Sequence, residues 1–324
     1  MRIRPTLAVI LLLIAAGCSQ SSSSPTSSLE DGGTGSLAFG ESGQRDGGRM
    51  RGLARPNLEF LPFNGRLLRL IGEKDLDNRY ATTVMVHVRE PPIEFSCSGV
   101  LLHPRLVVTA GHCVCQWRKV NTPGGTPQTT IDGSACAKRA EVTAILHKAT
   151  SHPDIPGSTF WERTGTIKPH PEFESHLTLQ GEVLTSRADL AVILLEQSVD
   201  LGLPTVSLAD AEAKAGELLV MSSYGSDPGL EQFYGSRYFR NGKVKSLKPE
   251  EGRVLYEPAG AYFNTSYRGG PCLRELNKAQ HLVGIVGLGS DEEMSFTSIY
   301  SYRSWLHEEL RQVTTASPNV PRSP

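Results

Sequence analysis

Residues 97–114 read C-S-G-V-L-L-H-P-R-L-V-V-T-A-G-H-C-V, and this pattern decides the fold. Two short apolar runs, G-V-L-L and L-V-V-T-A, are broken by turn residues around Pro104. Similar runs recur through the chain: T-T-V-M-V-H-V at 82–88, A-V-I-L-L at 191–195, L-L-V-M-S-S-Y at 218–224 and H-L-V-G-I-V-G-L at 281–288. Short β-branched strands with Gly and Pro punctuation predict an all-β sandwich or barrel. Only near the end does the period change. There Trp305, Leu306 and Leu310 recur at helical spacing with charges between them, which predicts a closing helix over 303–313.

Two further stretches extend the pattern. Residues 188–195 read A-D-L-A-V-I-L-L, and residues 262–273 read Y-F-N-T-S-Y-R-G-G-P-C-L. With T-A-G-H-C at 109–113 they resemble, in order, the histidine, aspartate and serine segments of trypsin-like (chymotrypsin-family) serine peptidases. The resemblance covers about 70–313 and implies a double antiparallel β-barrel with a C-terminal helix and its site in the cleft between the halves. It implies that His112 is the base and Asp189 the group that fixes its tautomer. The family's third segment is G-D-S-G-G-P, so Gly269, Gly270 and Pro271 match while Arg268 takes the nucleophile's place.

A guanidinium stays protonated and offers only donors, so Arg268 cannot attack a carbonyl. Its charge opposes protonation of His112, and the expectation is that it pairs with Asp189 or another carboxylate and fills the cleft. Other positions depart as well. Ser266 stands at the oxyanion-hole glycine, Tyr262 at the pocket-floor aspartate, and Tyr267 at the aspartate that receives a new amino terminus after activation cleavage. The family's G-I-V-S-W-G becomes G-I-V-G-L-G at 284–289, with Gly287 and Leu288 replacing Ser and Trp before Gly289. Met294 falls on the glycine that keeps the specificity pocket open, and is expected to plug it. The reading is therefore a peptidase homologue that binds a protein or peptide ligand without turnover. The alternative is an active endopeptidase with Ser266 as displaced nucleophile. A two-residue strand shift moves that oxygen by about 6–7 Å, whereas catalytic geometry tolerates roughly 1 Å. A third option is a purely structural envelope protein.

The N-terminus speaks to location. Arg2 and Arg4 precede an apolar run ending in A-A-G-C at Cys18, an export signal over 1–17. The cysteine after small residues resembles a bacterial lipobox, implying lipidation of Cys18 and attachment to a membrane in the cell envelope. Residues 18–57, rich in Ser and Gly, read as a flexible tether. Apolar residues return in the propeptide-like stretch 58–69, and 314–324 reads as a frayed tail. R-L-I-G-E at 69–73 resembles the family's activation junction; an ordinary strand entry is the other reading.

Six cysteines in an exported chain favour disulfides. The resemblance implies Cys97 with Cys113; Cys115 with Cys136 would close an extra loop, leaving Cys272 as a buried hydrophobe. His112 and Asp189 lie 77 residues apart, longer than the family's usual spacing. The additional length falls in 115–136 and 147–186, expected as surface loops carrying surface histidines. The histidine spacings match no metal motif, so no metal or cofactor is expected. A net charge of -1 with scattered Lys and Arg leaves no basic stripe for nucleic acid.

Overall fold

The structure, a computed structural model, describes residues 72–122, 125–148, 157–199, 202, 206–226, 234–258, 268–289 and 294–315. The export signal, Cys18, the tether, the 58–69 stretch, the junction at Arg69, Tyr262, Ser266, Tyr267, His152 and the tail lie outside the described residues.

The short apolar runs form strands throughout. In chain order these are β1 (Glu73–Lys74), β2 (Thr83–Glu90), β3 (Ile93–His103), β4 (Leu106–Thr109), β5 (Arg118–Asn121), β6 (Pro127–Asp132), β7 (Arg139–Lys148), β8 (Gly157–Pro169) and β9 (Glu174–Leu177). Then follow β10 (Val183–Arg187), β11 (Ala191–Leu195), β12 (Ser207–Leu208), β13 (Leu218–Ser226), β14 (Tyr234–Lys248), β15 (Arg253–Pro258), β16 (Pro271–Leu276), β17 (Ala279–Val286) and β18 (Met294–Ser298). One helix, α1 (Arg303–Thr315), closes the chain.

Two antiparallel barrels result. The first closes through β11, β4, β3, β2, β7 and β8, and the second through β14, β13, β16, β17, β18 and β15, with β14 pairing back onto β15. Inside, Val84, Val86, Val100, Leu106, Val108 and Val142 fill the first barrel; Leu219, Met221, Tyr256, Cys272 and Phe296 fill the second. Each fully buried side chain of this size contributes about 1.5–3 kcal/mol. Helix α1 buries Leu306 and Val313, with Trp305 and Leu310 packed at the edge, matching the expected spacing.

The stretches expected as surface loops are instead largely strand. β5, β6, β9 and β10 form a separate four-stranded antiparallel sheet in the order β10-β9-β6-β5. It has an inside: Ile131, Ser175, Leu177 and Ser186 are buried, and the hydroxyls of Ser175 and Ser186 meet at 2.8 Å. These strands are four to six residues long with mixed polarity, so their alternation is weak in sequence.

Polar contacts join the barrels. Thr83 donates to Ser222 at 3.0 Å, Ser98 and Ser223 share a hydrogen bond at 2.8 Å, and the Tyr224 amide donates to the Ser98 hydroxyl. Deeper, the fully buried Arg237 reaches Asp75 at 2.6 Å, the Tyr224 hydroxyl at 2.8 Å and the Ile145 carbonyl at 3.0 Å. Asp75 also accepts from the amides of Arg79 and Tyr80. A buried charge persists only when paired and hydrogen-bonded, and this pair is both. The contact fixes residues 75–80 and β7 against β13 and β14.

Candidate functional site

His112 sits in a single 3-10 turn, Gly111–Cys113, directly after β4. Its place is over-determined: Cys113 is bonded to Cys97 of β3, the second of the turn's anchors being Asp189. The His112 amide donates to Asp189 Oδ1 at 2.8 Å and its Nδ1 donates to Oδ2 at 2.7 Å. Both carboxylate oxygens are thus engaged by one residue. The side chains of His112 and Asp189 are 2% and 1% exposed.

Asp189 enters β11 through Ala188, whose φ of 48° is left-handed and costs a residue with a Cβ roughly 1 kcal/mol. The Tyr302 hydroxyl holds that bend by accepting the Ala188 amide at 2.9 Å. His170 supports the same turn, donating its amide to the Leu190 carbonyl and stacking edge-on against Tyr302 and Trp305. It is buried rather than a surface histidine, and burial lowers its affinity for a proton. His147 and His176 are likewise only partly exposed, His176 pairing with Glu174.

The opposite wall is the segment 268–270. Its backbone is stitched to both barrels: the Arg268 carbonyl accepts from the Ser98 amide, the Gly269 amide donates to Val286, and the Gly270 carbonyl accepts from Val286. Gly269 has φ +74°, and a Cβ there would lie 2.3 Å from the Ser98 carbonyl oxygen. Only glycine fits.

The Arg268 guanidinium lies over the Trp117 ring, 5.9 Å from its centroid. Asp189, the first partner expected for Arg268, accepts from His112 through both of its oxygens. Trp117 in turn donates its indole N–H to the His112 carbonyl at 3.3 Å and packs near Phe95. Sequence reasoning missed Trp117, which belongs to no strand pattern; its closeness to the histidine in C-V-C-Q-W was the available signal.

The remaining wall comes from the β17–β18 connection. Gly287 donates to the Ser295 carbonyl, and a Cβ on it would lie 3.5 Å from Asp189 Oδ2. Leu288 is buried, with its carbonyl accepting from Ser295, and Gly289 follows half-buried. Met294 opens β18 opposite Tyr256 and packs into the second barrel's apolar cluster. Cys272, in β16, is fully buried, and burial pushes its thiol well up. Cys115 and Cys136 form the second disulfide. Among the described residues, Cys97, His112 and Cys113 group like metal ligands, but the two sulfurs are bonded to each other.

The arrangement supplies a buried, oriented imidazole, a cation over an indole and a glycine-lined backbone turn. Comparison with known proteins identifies the lineage. No curated protein matches the chain. Among solved structures, mouse neuropsin, a serine protease expressed in the limbic system of the brain, is similar with a TM-score of 0.47 and 19% identity, over 71% of this chain and 94% of its own. A family model described as Trypsin matches residues 71–306, most of the sequence, and the chain therefore belongs to the trypsin family.

Proposed function

We propose that this trypsin-family domain acts by binding a protein or peptide and has no peptidase turnover. The observation that carries the reading is Arg268. It directly precedes Gly269, Gly270 and Pro271, where the family's G-D-S-G-G-P has its serine, and its guanidinium rests on Trp117. Triad chemistry needs an oxygen or sulfur nucleophile in reach of the base, and a guanidinium offers neither. The 2% exposure of His112 supports the same reading, since a base must touch the proton it removes.

Location belongs to the proposal too. The export signal and Cys18 in A-A-G-C favour a lipid-anchored envelope protein with the domain held at a membrane surface. Two disulfides suit an oxidising compartment.

The test is labelling of the full chain with a fluorophosphonate serine-hydrolase probe, alongside Arg268→Ser and Ser266→Ala. The expected result is a silent wild type. Labelling of the wild type that vanishes in Ser266→Ala would overturn the reading and establish a rearranged peptidase.

A further inference from the structure

The His112 ring has two faces of chemistry. Nδ1 donates to Asp189, which leaves Nε2 as the nitrogen that takes or gives a proton, and Nε2 faces Cys113 Sγ at 3.6 Å. A sulfur, an imidazole and a buried carboxylate in line form the arrangement that stabilises a thiolate. Cys113 is 1% exposed, while its partner Cys97 is half-buried. An incoming thiol therefore meets Cys97 first, and Cys113 is the sulfur that leaves.

The second disulfide is a built-in reference. It also joins a half-buried sulfur, Cys136, to a fully buried one, Cys115. Where Cys113 faces an imidazole, Cys136 Sγ faces the carbonyl oxygen of Asp132 at 3.5 Å. By the same exposure argument a thiol attacks Cys136 and the buried Cys115 leaves, and among the described residues no histidine faces Cys115 Sγ as His112 faces Cys113.

We infer that Cys97–Cys113 is a redox-active thiol site, opened by a dithiol reductant, with Cys113 as the leaving sulfur and the His112–Asp189 pair stabilising its thiolate. A thiolate of the dithiol attacks Cys97 Sγ, the protein S–S bond breaks, and its electron pair leaves on Cys113. The dithiol's second sulfur then displaces Cys97 and closes a cyclic disulfide, so the reductant loses two electrons and the protein disulfide gains them. Of the two protons released, one ends on Cys97 and one on His112 Nε2 beside the Cys113 thiolate. Asp189 balances the imidazolium across the ring. Leaving ability rises as the departing thiol's proton affinity falls. In this account the pair serves a sulfur, and needs no serine.

The experiment is a pulse of dithiothreitol on the oxidised full chain at pH 6 and pH 8, quenched with iodoacetamide and mapped by mass spectrometry. The expected result is that Cys97–Cys113 opens about tenfold faster than Cys115–Cys136 at pH 6, and that Cys113 alkylates well below the ordinary thiol range of about 8.5. Asp189→Asn and His112→Gln should each bring the two opening rates together while leaving Cys115–Cys136 unchanged. Equal rates in the wild type, or a preference that survives both variants, overturns the inference. Should either variant unfold and open both disulfides together, the wild-type profile decides alone: an ordinary alkylation profile at Cys113 also overturns it.

Discussion

The two sides of the cleft are held by different parts of the chain. On the first-barrel side, side chains fix the geometry: Asp189 accepts from the amide and the ring of His112, and the Cys97–Cys113 disulfide pins the turn. On the second-barrel side the backbone does this, with Arg268, Gly269 and Gly270 bonded to Ser98 and Val286 whatever the Arg268 side chain is. The difference explains how a histidine–aspartate pair can stand opposite an arginine. Asp189 is buried, and a buried carboxylate needs its donors for folding alone. The pair's presence is thus no measure of peptidase chemistry.

The largest expected effect follows from that asymmetry. His112→Ala removes the ring donor from a carboxylate that stays buried, and should cost about 3–5 kcal/mol in chemical denaturation. Arg268→Ala, on the backbone-held side, should cost about 1 kcal/mol. A His112→Ala cost no larger than that of Arg268→Ala would break the comparison, and the pair's contribution would then lie in its chemistry toward Cys113 rather than in folding.

Acid should separate the barrels next. Burial, with help from Arg89, pushes His87 on β2 down to about 4 from an ordinary 6.5. His103, His147 and His170 are lowered as well, burial being the largest cause in each, and all belong to the first barrel or its immediate continuation. A histidine lowered in the folded state takes its proton later than in the unfolded chain. Stability is therefore intact above pH 6.5 and is lost as pH falls from there toward 4. His87 alone accounts for a loss on the order of 3 kcal/mol. Denaturation at pH 7 and pH 4.5 checks the size, and His87→Gln should flatten the profile. Hydrogen exchange should rise in β2 and β3 before β13 and β14; the reverse order would assign the acid weakness to the wrong barrel.

How far the sequence discloses these features depends on how local they are. The strand runs, the closing helix and the glycine turn are each contained in one stretch, and each was legible. The sheet of β5, β6, β9 and β10 was not, since its few buried residues come from strands of four to six residues far apart in the chain. The Asp75–Arg237 contact is harder still. Asp75, Ile145, Tyr224 and Arg237 lie in four separate segments, and in sequence each charged residue reads as surface. At the site, the resemblance named His112 and Asp189, which the fold brings together, while nothing local marks Trp117 as the ring beneath Arg268.

The smallest effects sharpen the comparison within the second-barrel side itself, where two glycines have unequal reasons to be glycine. At Gly269 an added methyl meets the Ser98 carbonyl oxygen at 2.3 Å and Thr109 Oγ1 at 2.6 Å, on a left-handed backbone. Gly269→Ala should therefore cost about 2 kcal/mol and loosen the stitch to Ser98. At Gly287 the nearest atom, Asp189 Oδ2, is 3.5 Å away, an ordinary contact. Gly287→Ala should stay within about 0.5 kcal/mol of wild type. Gly287→Ser should do slightly better, because its hydroxyl can add a donor to the carboxylate that His112 engages. Thermal denaturation of the three variants resolves the order. A Gly287→Ala loss as large as that of Gly269→Ala would mean that the side-chain and backbone halves of the cleft are not separable, and that the wall around Asp189 is packed as tightly as the stitch.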